Sequence, residues 1–252
     1  GLSYINTLTD SSLLQYGDIP GYKKFREDLA TVLQKEYNKP VERDELFITN
    51  AVTDALMTIG SMFSHEKPIV LVEDPTYFLA KDIFEKDFKF DVRSVPMTTD
   101  GMNMNVLTEI MADLKEHPRV LLYTIPSFHN PTSITMSDEN RLRLAELADQ
   151  YSNLVIIADE VYQQLYFDSD NKPPLPLCYY TKRAISLGSF SKILAPAFRM
   201  GWMQIRDPDL MKLFTESGHM DSSGGKSPFV QAMIHGMLGS LNDNIEKCRT
   251  HL

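Results

Sequence analysis

The chain has 252 residues, 43% hydrophobic and 23% charged, an ordinary globular composition that sets aside disordered, collagen-like and coiled-coil readings. Its net charge of −9 argues against nucleic acid or an anionic membrane as the main partner, while leaving room for a local basic phosphate site. Two distant cysteines, Cys178 and Cys248, argue against a disulfide framework and a structural zinc, and apolar runs such as Leu154 to Ala158 are too short to span a bilayer.

In chain order, Pro20-Gly21-Tyr22 opens a helical run to about Tyr37, with Phe25, Leu29, Val32 and Leu33 on one face. Leu46 to Thr49 reads as a short strand, Val52 to Phe63 as a helix, and Ile69 to Glu73 as a buried strand ended by Asp74-Pro75. Tyr77 to Phe88 is expected to be helical, Phe90 to Val95 extended, Asn105 to Glu116 helical and Val120 to Ile125 extended. Ser137 is placed to cap a helix running to about Tyr151, with Asp138 and Glu139 in its first turn, where negative charge suits the helix dipole. Leu154 to Ala158, Ala184 to Leu187 and Met200 to Ile205 read as strands, followed by helices from about Asp207, Pro228 and Leu241.

Strands apolar on both faces and separated by helices predict an α/β fold with three layers and a mostly parallel sheet covered on both sides. Ligands of such sheets bind beyond the carboxyl ends of the strands. Those ends carry Asn50-Ala51-Val52-Thr53 at a helix start, then Asp74 to Tyr77, then Pro126 to Thr132 with Asn130. They continue with Asp159-Glu160-Val161-Tyr162 and with Ser189-Phe190-Ser191-Lys192 ahead of Arg199. A phosphorylated aromatic heterocycle bound through an aldehyde calls for this set. A lysine forms a Schiff base with the aldehyde, and a carboxylate opposite a ring nitrogen keeps it charged. An aromatic face stacks on the ring, and helix-end N–H groups with an arginine hold the phosphate.

With Asn130-Pro131-Thr132, Asp159-Glu160-Val161-Tyr162, Ser189-Phe190-Ser191-Lys192 and Pro196 to Trp202 in this order over nearly the whole chain, the sequence resembles the fold type I pyridoxal-phosphate enzymes, specifically class I/II aminotransferases. The subgroup it looks most like is that of the 2-aminoadipate and kynurenine aminotransferases and related regulator domains. The resemblance implies pyridoxal 5'-phosphate as cofactor and catalytic roles for Lys192, Asp159 and Tyr162. Lys192 would form the Schiff base and shuttle the proton at substrate Cα, an amine whose pKa falls readily on desolvation. Asp159 would pair with the ring nitrogen, Tyr162 and Asn130 would bond the ring hydroxyl, and Tyr77 would stack on the ring. Ala51, Val52 and Thr53 would cradle the phosphate, completed by Ser189, Ser191 and Arg199. Tyr16 would reach the phosphate of a neighbouring subunit, which implies a homodimer. The implied activity is amino transfer from an L-amino acid to a 2-oxo acid in the cytoplasm, with small-molecule partners and no metal. A ligand-sensing regulator domain and a lyase acting through the same cofactor, such as a cysteine-conjugate β-lyase, are the alternatives.

Taken singly, these residues also have plain readings. Asp159-Glu160 could cap a helix, Lys192 could be a surface lysine, Tyr77 core packing and Tyr16 an interface tyrosine. Trp202 reads as packing and His129 as a loop residue near the site. The chain makes three departures from the family pattern: Ala51-Val52 stands where Gly-Ser is frequent, and Ser133 and Ala197 stand where glycine is usual. A non-glycine residue at positive φ costs about 1 kcal/mol. Gly224-Gly225-Lys226-Ser227 mimics the end of a P-loop, but Met220 occupies the place of its first glycine. The chain begins at Gly1 without a signal-peptide pattern and stops at Leu252 inside a helical run. The expectation is a single cofactor-binding large domain over 1–252. Residues 1–20 form its lead-in, and about 241–252 begin the helix towards a small domain that would carry the arginine for the substrate carboxylate.

Overall fold

A computed structural model describes residues 1–6, 11–167, 169–223 and 225–251. Gly224 of the P-loop mimic and the final Leu252 lie outside the described residues. The helices are α1 (Leu2–Ile5), α2 (Lys23–Tyr37), α3 (Ala51–Phe63), α4 (Phe78–Asp82), α5 (Met104–Asp113), α6 (Asp138–Gln150), α7 (Pro208–Thr215), α8 (Gly218–Ser223), α9 (Pro228–His235) and α10 (Leu241–His251). The strands are β1 (Leu46–Thr49), β2 (Ile69–Asp74), β3 (Asp91–Thr98), β4 (Gly101–Met102), β5 (Val120–Thr124), β6 (Leu154–Asp159), β7 (Ala184–Ser189) and β8 (Gly201–Ile205). The chain divides into two compact units. One comprises Gly1–Val52, Gln164–Asn171 and Gly188–Leu252; the other comprises Thr53–Gln163 and Lys172–Leu187.

The second unit carries the strand order β7-β6-β5-β2-β3-β4. Its pairings are parallel except β3 with the short β4. Ile69 lies opposite Val120, Thr124 opposite Ala158 and Asp159 opposite Leu187. The carboxyl ends of β2, β5 and β6 therefore share one edge. Met104, Leu107 and Met111 of α5 and Leu144, Leu147 and Ala148 of α6 pack with Leu71, Leu122 and Ile156 on one sheet face. On the opposite face the Tyr123 ring lies 6.3 Å from Phe84. Helices thus cover both faces, as the apolar strands require.

In the first unit β1 and β8 pair antiparallel, Leu46 opposite Gln204 and Thr49 opposite Gly201. Both strands are wholly buried, so an apolar run reports burial but not strand direction. Phe25 of α2 meets Phe190 at 6.0 Å, Phe190 meets Trp202 at 5.0 Å, and Phe47 meets Phe214 at 6.1 Å. The buried face of α2 differs from the expected one. Val32 is half-buried and Arg26 is buried instead. The Arg26 guanidinium is satisfied by the carbonyls of Gly21 at 3.0 Å and Arg43 at 3.1 Å.

Several boundaries also move. The helix expected over 77–88 is α4 followed by a π turn, Ile83–Asp87. The helix α5 starts at Met104 because the Asn103 side chain caps it, accepting from the N–H groups of Asn105 and Val106. The strand expected over 90–95 extends to Thr98. Ser137 caps α6 as expected, accepting from the N–H of Asn140 at 3.2 Å.

Candidate active site

In the second unit the strand register brings Asp159, Asn130, Tyr162 and Tyr77 into one neighbourhood. Asp159 ends β6 and is buried, and its Oδ2 accepts a hydrogen bond from the Tyr123 hydroxyl at 2.9 Å. The Asn130 side chain hydrogen-bonds the Tyr162 phenol, whose pKa burial raises above 10, with Asp159 adding to the rise. The Tyr77 phenol is close enough to act electrostatically on both Tyr123 and Tyr162. Tyr77 occupies the N-cap position of α4 and is half-buried. Thr53 is exposed on the first turn of α3.

The loop bearing Asn130 is braced from within. Glu73, at 1% exposure, accepts hydrogen bonds from the Thr124 hydroxyl at 2.6 Å and the Ile125 N–H at 2.9 Å. His129 Nε2 lies 3.0 Å from the same carboxylate. The other ring nitrogen of His129, Nδ1, faces the Thr132 hydroxyl at 2.9 Å. His129 is thus a buried strut of the loop. The loop is closed at its base by the Met136 N–H donating to the Pro126 carbonyl at 2.8 Å. Arg141, fully buried on α6, donates to the carbonyls of Pro126, Met136 and Leu175 and to the Ser127 hydroxyl.

Glu160, beside Asp159, lies 3.9 Å from the Arg141 guanidinium and accepts from the Leu177 N–H at 2.8 Å. Burial raises its pKa from 4.5 to about 7, and Arg141 only partly offsets that rise. Asp159-Glu160 does not cap a helix: the residues that follow form turns, and both carboxylates are buried.

In the first unit Ala51 and Val52 open α3, and the Thr49 hydroxyl donates to the Ala51 carbonyl at 3.1 Å. Ser189 ends β7, and its hydroxyl accepts from the Ser191 N–H at 3.1 Å. Phe190, between them, is buried against Trp202, which fixes where the loop leaves the strand. Lys192 and Arg199 are exposed. Trp202 is a packing residue, and a Cβ at Gly188 would lie 2.1 Å from its ring. Tyr16 is 87% exposed and has no role within its unit's core.

Two of the three departures from the family pattern fall at left-handed positions. Ala51 has φ 64° and Ser133 has φ 62°, whereas Ala197 sits in a 3-10 turn without positive φ. Arg199 is also left-handed, with φ 47°.

Sequence reading missed Tyr123, Glu73 and Arg141 as parts of this neighbourhood. Arg141 was legible in principle, since it shares the helical spacing of Leu144, Ala145 and Ala148 on the buried face of α6. Glu73 gave a weaker signal, an acid closing an apolar strand, which needs a buried partner. Among the described residues no cluster of His, Cys, Asp or Glu could hold a metal ion. No helix among them is long and apolar enough to cross a membrane.

Comparison with known proteins gives these features a context. The family model for aminotransferase class I and II matches residues 4–247. Aromatic-amino-acid aminotransferase 1 of Thermococcus litoralis is 37% identical over 202 residues, which are 79% of this chain and 48% of that protein. The HTH-type transcriptional regulator YisV of Bacillus subtilis is 29% identical over 200 residues, 79% of this chain and 40% of that protein. The kynurenine aminotransferase of Pyrococcus horikoshii, solved with PMP, kynurenine as substrate and KYA as product, superposes with a TM-score of 0.85. It shares 30% identity, with 99% of this chain and 61% of that one covered. The chain spans about half the length of these curated relatives. Motif order, sheet topology and a family match over nearly the whole chain agree: the chain belongs to the class I and II aminotransferases.

Proposed function

We infer that this chain is the cofactor-binding part of a pyridoxal-phosphate-dependent aminotransferase that moves an amino group from an L-amino acid to a 2-oxo acid. The observation carrying this reading is the buried Asp159 carboxylate at the end of β6 with Tyr162 and Asn130 joined beside it. Carboxylate, amide and phenol are the donor set a hydroxypyridine ring calls for, so the residues present fit the group. When bound, pyridoxal phosphate supplies an electron sink for the bond-breaking step at substrate Cα.

The protein's residues do the rest. Asp159 holds the ring nitrogen's proton in place, and a buried carboxylate does so without competition from water. Tyr162 and Asn130 orient the ring through its hydroxyl, and Tyr77 offers an aromatic face. The N–H groups at Ala51, Val52 and Thr53 bind phosphate at a helix start, with Ser189, Ser191 and Arg199 adding hydroxyls and a guanidinium. The side chain of Lys192 would provide the amine that joins the cofactor's aldehyde and would move the proton at substrate Cα. In a homodimer, the exposed Tyr16 serves the phosphate site of the neighbouring subunit. A cytoplasmic location belongs to the same reading.

The likeness to YisV supports a second reading, a ligand-sensing domain of a transcription regulator. Initial rates of the whole protein with varied amino donor and 2-oxo acid separate the two. Transamination with parallel double-reciprocal lines is expected. Cofactor binding without turnover on any donor, together with sequence-specific DNA binding, would favour the regulator.

A further inference from the structure

Tyr123 is the penultimate residue of β5, opposite Ile157 of β6. Residues two apart on a strand share a face, so Asp159 projects to the same face as Ile157, one step nearer the carboxyl edge. The Tyr123 phenol reaches along this diagonal and donates to Asp159 Oδ2 at 2.9 Å. Its ring is completely buried and rests 6.3 Å from Phe84. A phenylalanine would fill the same volume, so packing alone does not call for the hydroxyl. Burial, and then the charge of Asp159, raise the phenol's pKa well above 10, so it stays a neutral donor at working pH. Ionisable groups acting on this pair include Glu73 and Tyr77 towards Tyr123, and Tyr162 and Glu160 towards Asp159.

The geometry points to Tyr123 as a positioning residue for the ring-nitrogen contact: its hydroxyl donates to Asp159 Oδ2 and fixes the carboxylate in one orientation. This rests on the reading of Asp159 as the partner of the ring nitrogen. A hydrogen bond donated to a carboxylate favours its charged form. Without it the carboxylate becomes more basic and draws the shared proton away from the ring. With pyridoxal phosphate bound, the ring would then withdraw electrons less strongly, and the nitrogen of Lys192 joined to it would titrate at higher pH.

The test is Tyr123→Phe in the whole protein reconstituted with pyridoxal phosphate, followed by pH titration of the bound cofactor's visible absorbance. The midpoint is expected to rise by about 0.5 pH unit or more. The kcat is expected to fall about fivefold, with KM for the amino donor nearly unchanged. In an Asp159→Asn background the same change is expected to leave the titration where it was. Tyr123→Met, which fills irregular gaps, carries the same expected shift if the Phe variant does not fold. A Tyr123→Phe titration superimposable on wild type overturns the proposal. So does an equal shift in the Asp159→Asn background, because a packing defect acts whether or not the carboxylate is present. If wild type itself acquires no visible absorbance with pyridoxal phosphate, the underlying cofactor reading fails first.

Discussion

Glu160 offers a stability test of the network that supports the candidate site. Its carboxyl is buried beside the Arg141 guanidinium at 3.9 Å, and burial raises its pKa from 4.5 to about 7. In the unfolded chain the same group ionises near 4.5, so between these values the folded state holds a proton that the unfolded state has released. Stability therefore falls as pH rises through this window and levels off above about pH 7. At about 1.4 kcal/mol per pH unit, the rise corresponds to about 3 kcal/mol lost between pH 4 and 8. Glu160→Gln keeps an acceptor for the Leu177 N–H and removes the titration. Urea unfolding of both proteins across this range isolates the effect, since other groups titrate alike in the two. Wild type is expected to lose about 3 kcal/mol more than the variant on going from pH 4 to pH 8. A difference between the proteins that is independent of pH, or that grows in the opposite direction, would show that Glu160 does not hold a proton in the folded state across this range.

Two further substitutions probe the backbone around the site. Gly188→Ala would place a methyl 2.1 Å from the buried Trp202 ring, which also packs against Phe190 at 5.0 Å, and the cost is expected at about 3 kcal/mol or more, read as a lower thermal midpoint and a smaller folded yield. Ser133→Gly relieves a left-handed non-glycine residue at φ 62° and is expected to raise stability by roughly 0.5 to 1 kcal/mol in denaturant titration; a loss of stability would show that the serine side chain contributes more than its backbone strain costs.

Much of the architecture was legible because burial on both faces leaves continuous apolar runs. The strands at Leu46, Ile69, Val120, Leu154 and Ala184 begin where those runs begin. The antiparallel pairing of β1 and β8 was not legible, since direction depends on how the chain returns and not on which faces are buried. Element ends moved where local capping decides, as at Asn103, or where the helix relaxes into a π turn, as at Ile83. Of the candidate site, the residues at strand ends were readable from position and chemistry. The groups that hold them were not: the Tyr123 contact with Asp159 and the Glu73 contact with His129 depend on strand register across β2, β5 and β6. Neither register is visible in local sequence. The strain at Ser133 could be anticipated only by noting that glycine is usual there.

In the proposed function Lys192 joins pyridoxal phosphate covalently while the residues around Asp159 hold the ring. The most direct measurement is the visible absorbance of the whole protein titrated with pyridoxal phosphate, for wild type and Lys192→Ala, before and after borohydride reduction. Wild type is expected to gain a visible band that borohydride converts to a stable adduct at Lys192, located by peptide mass. The Lys192→Ala variant is expected to show neither. The same band and adduct in Lys192→Ala would show that Lys192 is not the residue that binds the cofactor.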